Sequence, residues 1–247
     1  SAYVMIGTLV LAASFFIKDK SATDLIVKRR EELQQNQQEL NVHLYHILRS
    51  MLPASLVVPL LQEPDKNHAR RVDQASILFI LVEDFDRIAH ELDPEDALSF
   101  LNRHFLQLDK ICAKHCVTKI ETVGAEYVCA VGVEPQDIRK ATEYGHSFIL
   151  NQLIAVAFDV LKLSYGTASS EDSVTFKMGM HTGAVVAGIV GRKLPRFRLF
   201  GDTVNTAARI MQKGLPGQVQ LGDATRRCLP AGVVVSSRGP VEMKGKG

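Results

Sequence analysis

Two small groups of side chains stand at spacings that suit chemistry. Asn205 and Arg209 are four residues apart at the head of a segment, Asn205 to Gln212, that reads as a helix, so an amide and a guanidinium share one face. By spacing alone that is a solvated polar face, and only its surroundings can make it more. Cys112 and Cys116 bracket His115 on another predicted helix, a pattern that invites zinc. The four cysteines, Cys112, Cys116, Cys129 and Cys228, include no CxxC pair, however, and read as reduced, partly buried thiols. No metal follows from them. His181-Thr182-Gly183 reads as a structural turn between two strands, and Asp202 as a turn or cap residue.

The elements that must carry these residues fit one well-buried domain with additions, since 247 residues hardly make two full domains. A hydrophobic share of 46% and a charged share of 23% are ordinary for a globular chain. A net charge of +2 gives no drive towards nucleic acid, and with no Trp and 6% aromatic residues a base-stacking platform is not expected.

Residues 1–19 stand apart. Ala2 to Ile17 is an almost unbroken apolar run, closed by Lys18-Asp19-Lys20. Such a run rises only about 24 Å against a hydrocarbon core of roughly 30 Å, so it reads as the C-terminal part of a transmembrane helix. A signal peptide would carry its charges before the apolar stretch. Lys18, Lys20, Lys28, Arg29 and Arg30 then mark the cytoplasmic side. A buried core helix is the alternative. In residues 20–52, Ile26, Leu33, Leu40 and Ile47 recur every seventh position, with Arg30, Gln37, Leu44 and Met51 on the second seam. That heptad predicts a short parallel coiled coil acting as a dimerisation and signalling helix, the alternative being a lone amphipathic helix lying on its own domain. Pro53, Pro59 and Pro64 break it, and 53–71 reads as a linker.

A folded domain is expected over 72–247. Ala75 to Val82 reads as a buried strand, Pro94 to Lys114 as a helix with Leu98, Leu101, Phe105, Leu108 and Ile111 inward, and Lys119 to Val133 as a hairpin turning at Gly124. Ala141 to Leu163 reads as one long helix, Phe176 to Met180 and Ala184 to Val190 as a strand pair, and Gln218 to Leu221 and Val233 to Val235 as short strands. Strands and helices alternate without a clean βαβ repeat, which favours an α+β sandwich.

Four segments in order, KIETVGAEYV at Lys119, FKMGMHTGAVVAGIVG at Phe176, LPRFRLFGDTVNTAARI at Leu194 and RGPVEMKGKG at Arg238, resemble the class III adenylate/guanylate cyclase catalytic domain. The resemblance implies a ferredoxin-like α+β sandwich working as a head-to-tail dimer, with composite sites at the interface. There the ribose 3′-hydroxyl attacks the α-phosphate and pyrophosphate leaves, with two divalent ions, Mg²⁺ or Mn²⁺, held by two aspartates of one half. The other half grips the nucleotide.

On the metal side this chain departs from the pattern. Matching Phe79 to Phe85 with the family's FADIVGF puts Leu81 at the first aspartate, and matching Gly124 to Tyr127 with GDAY puts Ala125 at the second. Neither offers an oxygen to a hard cation. Glu83 lies about 7 Å further along the strand than Leu81, and Glu126 faces away from Ala125. No metal ligand is therefore expected in this chain.

The nucleotide side is better kept. By resemblance Glu121 holds the guanylate-type position and accepts from guanine N1–H and its 2-amino group. Arg196 and Leu199 follow the guanylate pattern PRYCLFG, while Arg198 replaces its cysteine; Arg198 either donates to guanine O6 or N7 or crowds the pocket. A strand ion pair between Glu121 and Arg196 is the plainer alternative. The resemblance also has Asn205 orient the ribose, Arg209 bind the triphosphate, and Lys244, with Lys246 as the alternative, bind phosphate. The resulting expectation is the GTP-binding half of a membrane guanylate cyclase. It lies on the cytoplasmic side, and a second class III cyclase domain, in the same or another chain, supplies both ions. A catalytically inactive pseudo-cyclase and an adenylate cyclase half are the alternatives; Glu121 and Arg196 speak against the latter.

Overall fold

The structure, a computed structural model, describes residues 2–166, 174–191 and 193–243, with side chains from residue 23 onward apart from residues 50, 165 and 166. The chain divides into two units, Ser1–Met51 and Leu52–Gly247.

The first unit is one helix, α1 (Ala2–Met51), which runs through the end of the apolar stretch near residue 20. No Pro interrupts it until Pro53, which cannot continue a helix and disfavours the helical state of the residue before it. The side chains of the expected membrane-span tail lie outside the described residues. Further along, the heptad positions Ile26, Leu33, Leu40, Leu44, Ile47 and Met51 are all exposed.

The second unit opens with an element the proline pattern concealed. α2 (Ala54–Gln62) starts directly after Pro53 and accommodates Pro59. Leu52 and Val57 beside and within it are buried, so this segment packs on the domain and is not a free linker.

Two long antiparallel strands, β1 (Ala69–Val82) and β4 (Phe176–Val190), form the spine of the domain. β4 runs unbroken through His181-Thr182-Gly183, so the expected turn is strand. A continuous ladder to β1 satisfies its backbone, and an irregularity in β1 between Val72 and Ala75 takes up the bend. The sheet order is β2-β3-β1-β4-β5, with β2 (Thr118–Val123), β3 (Glu126–Val131) and β5 (Arg196–Phe200) antiparallel to their neighbours; β6 (Val219–Leu221) joins β4 in parallel. The β2–β3 hairpin turns at Gly124, whose φ of +56° suits glycine. Residues 233–235, expected as a strand, are coil.

Alternation along the strands sends Leu78, Ile80, Val82, Met178 and Met180 to one face, where α4 (Pro94–Lys114) and α6 (His146–Gly166) close the main core. α4 has its expected limits, with Pro94 in the first turn, but its buried stripe is Ala97, Phe100, His104, Leu108 and Cys112; Leu98 is 68% exposed. The long helix expected over 141–163 is two, α5 (Pro135–Tyr144) and α6, broken at Gly145 with φ +85°. α6 is apolar and long enough to cross a membrane, yet it is a core helix whose Ile149, Leu150, Leu153, Val156 and Val160 are fully buried. A short helix, α3 (Phe85–Glu91), follows β1, and Asp84 at its head takes a left-handed φ of +54°.

On the opposite face lies α7 (Asp202–Gln212), packed through Ala207, Ile210 and Met211. It approaches β4 so closely at Gly179 that a Cβ there would lie 2.1 Å from the Met211 backbone nitrogen. α8 (Asp223–Arg226) completes the described elements.

Candidate active site

β2 and β5 stand at the two ends of the sheet path, yet the bent sheet brings them together. On β2 the register slips between Lys119 and Glu121, a bulge that re-aims the carboxylate. On β5, Arg196 and Arg198 alternate with Phe197 and Leu199. The two apolar residues are buried, so the Leu199 side chain serves packing beneath β5 and does not join the polar set. Glu121 Oε2 is buried and forms an ion pair with Arg198 Nη1; the side chains keep 23% and 32% of their surface exposed. The plainer pairing, Glu121 with Arg196, is not the one formed.

Asn205 and Arg209 lie on one face of α7, as the spacing requires, with Asn205 exposed and Arg209 half-buried. Three features fix that helix. Gly201 precedes it at φ +138°, the Thr203 hydroxyl donates to the Ala184 carbonyl at 2.7 Å, and Gly183 leaves room for the Thr203 side chain, which a Cβ would meet at 2.6 Å. Asp202 occupies the first turn of α7, where a negative charge suits the helix dipole. Lys244 and Lys246 lie outside the described residues.

The edge where the aspartates were sought has a different character. Leu81 sits directly across from Glu126 on β3 and Lys177 on β4, so these side chains share a face. Lys177 Nζ is 3.2 Å from Glu83 Oε2, both largely buried. Ala125 packs against the core, and its carbonyl accepts from Val82 N–H at 3.1 Å. Glu126 comes nearer Leu81 than alternation along one strand discloses, because the cross-strand register decides it. Burial first, and the charge of Glu121 second, push its carboxyl above the ordinary value, which favours the neutral form. Leu81, Ala125, a lysine-bound Glu83 and a half-buried Glu126 do not make a site for a hard divalent ion. Among the described residues, no group of three His, Cys, Asp or Glu side chains could hold one.

The zinc pattern dissolves in the same way. His115 Nε2 lies 2.8 Å from Asp159 Oδ2, a carboxylate also bound by Lys114 and Lys162, whose charges hold it well below the usual range. Cys112 is buried and Cys116 exposed. A cavity of about 900 Å³ lies away from the polar set, between α6, β6 and the coil 233–243, and includes Phe158, Leu221 and Val235 in its walls.

A sheet bent to join Glu121 with β5, and a helix presenting Asn205 and Arg209, belong to a known class. The model of the adenylate and guanylate cyclase catalytic domain family matches residues 67–247, and the chain belongs to that family. Among its relatives, guanylate cyclase soluble subunit beta-2 of Rattus norvegicus is 34% identical over 227 residues, 87% of this chain and 32% of the relative. Retinal guanylyl cyclase 2 of Bos taurus is 34% identical over 91% of this chain and 20% of its own length. The chain thus spans a third or less of these curated relatives. The solved guanylate cyclase domain of RhGC from Catenaria anguillulae, in complex with GTP, superposes with a TM-score of 0.64 at 25% identity, over 72% of this chain and 93% of that one. The catalytic core of a rhodopsin-guanylyl cyclase with converted specificity, in complex with ATPalphaS, gives 0.63 at 27% identity over the same shares.

Proposed function

We propose that this chain is the base-, ribose- and phosphate-binding half of a guanylate cyclase, converting GTP to cyclic GMP and pyrophosphate with a second class III cyclase domain. One contrast carries the reading: Glu121, Arg196, Asn205 and Arg209 are kept, while Leu81 and Ala125 stand where oxygen ligands are required. Glu121 accepts from the guanine edge, Arg196 and Arg198 flank it on β5, and Leu199 supports that strand from below. Asn205 orients the ribose so that its 3′-hydroxyl meets the α-phosphate. Arg209, with Lys244, takes up negative charge as pyrophosphate departs, a role worth about 10²-fold or more in rate for a single well-placed donor. The two ions, Mg²⁺ or Mn²⁺, belong to the partner domain.

The exposed heptad face of α1 supports pairing with a like helix, and the apolar residues 1–19 support a membrane span with the cyclase domain cytoplasmic. A second reading, a pseudo-cyclase that only binds nucleotide or scaffolds a dimer, is favoured by the Arg198–Glu121 pair, which occupies the base reader. Mixing the chain with metal-competent cyclase domains and assaying cyclic GMP separates the two. Synthesis supports the catalytic half; no product with any competent partner supports the scaffold.

A further inference from the structure

An unobstructed carboxylate reads guanine by accepting two N–H groups, N1–H and the 2-amino group, one on each oxygen. Glu121 is not in that condition. Its Oε2 is sealed from solvent and faces the Arg198 guanidinium, so the exposed part of the carboxylate offers one acceptor. Arg198 is held on β5 opposite Gly188, with Phe197 and Leu199 buried on either side of it, and its own side chain keeps 32% of its surface exposed. The paired side chains therefore present a donor beside a single acceptor. Guanine answers that edge with O6 and N1–H, and hypoxanthine carries the same two groups. The 2-amino group, which alone separates the two bases, finds the second oxygen sealed off against the Arg198 guanidinium.

We propose that Arg198 makes this base reader blind to the purine 2-amino group, so that the chain takes 6-oxopurine nucleoside triphosphates, GTP and ITP, with nearly equal affinity. The inference rests on Glu121 being the base reader. Removing Arg198 frees Oε2 and restores the second hydrogen bond to guanine alone. A hydrogen bond to a charged acceptor is worth about tenfold in affinity.

Calorimetric titration of the full chain with GTP and with ITP, for the parent, Arg198→Cys, Arg198→Ser and Glu121→Ala, tests this, with circular dichroism confirming that each variant is folded. The parent is expected to bind the two nucleotides within threefold of each other. Both Arg198 variants are expected to favour GTP over ITP by at least fivefold more than the parent does, through tighter GTP binding. A parent preference for GTP above threefold, or a ratio unmoved in both folded Arg198 variants, overturns the proposal while leaving Glu121 as reader. If Glu121→Ala leaves both affinities unchanged, or neither nucleotide binds the parent, the underlying assignment of the site fails and the proposal with it.

Discussion

Arg198 stands where the guanylate pattern has a cysteine, and its charge changes what Glu121 can do. A cysteine leaves the carboxylate free, whereas an arginine on β5, at the other end of the sheet path, pairs with it. The partnership was not legible from spacing, because β2 and β5 meet only through a bulge and a bent sheet; the sequence offered Arg196 as the partner instead. Changing the polarity of the whole reader tests its membership. The triple variant Glu121→Lys, Arg196→Gln, Arg198→Asp replaces the acceptor with donors and the reverse, which suits adenine N1 and its 6-amino group. Competition binding is expected to move the preference from GTP towards ATP by about tenfold or more. A triple variant that keeps the GTP preference removes these residues from the base site.

α7 is only as well placed as the strand beneath it. Gly179 lets the helix sit on β4 at a distance no side chain permits. Gly179→Ala drives a methyl into the Met211 backbone, an overpacking of about 2 kcal/mol or more, and lowers the melting temperature by about 5 °C. Because Asn205 and Arg209 ride on α7, nucleotide affinity falls with it; unchanged melting and binding would show that the contact is relieved elsewhere. Much at this scale was legible from periodicity and turn chemistry: the limits of α4, the hairpin at Gly124, the end of β6 and the α+β class. What stayed hidden depended on partners distant in sequence. β4 continues through His181-Thr182-Gly183 because β1 pairs with it along its length. α2 forms between prolines because Leu52 and Val57 find a buried site. Gly145 ends α5 although the apolar pattern runs on, and the 233–235 segment, β-rich by composition, has no strand to pair with among the described residues.

For the whole molecule, the proposed division of labour makes activity depend on assembly. α1 exposes its heptad stripe, a face that pairing with a like helix would cover. Leu33→Asp with Leu40→Asp places charge in the seam, and sedimentation of the full chain in detergent is expected to show a dimer become a monomer. A dimer that persists unchanged would locate the association elsewhere. Two copies of this chain would bring no carboxylate at position 81 or 125, so under the proposed function a homodimer is expected to make no cyclic nucleotide.

That division is measured most directly by complementation. The chain is combined with a guanylate cyclase domain that keeps both metal aspartates but has lost the asparagine and arginine corresponding to Asn205 and Arg209, and cyclic GMP is assayed for each component and for the mixture. The account predicts product from the mixture alone, abolished by Arg209→Ala in this chain. Cyclic GMP made by this chain on its own, or a silent mixture in which the two domains demonstrably associate, would contradict it.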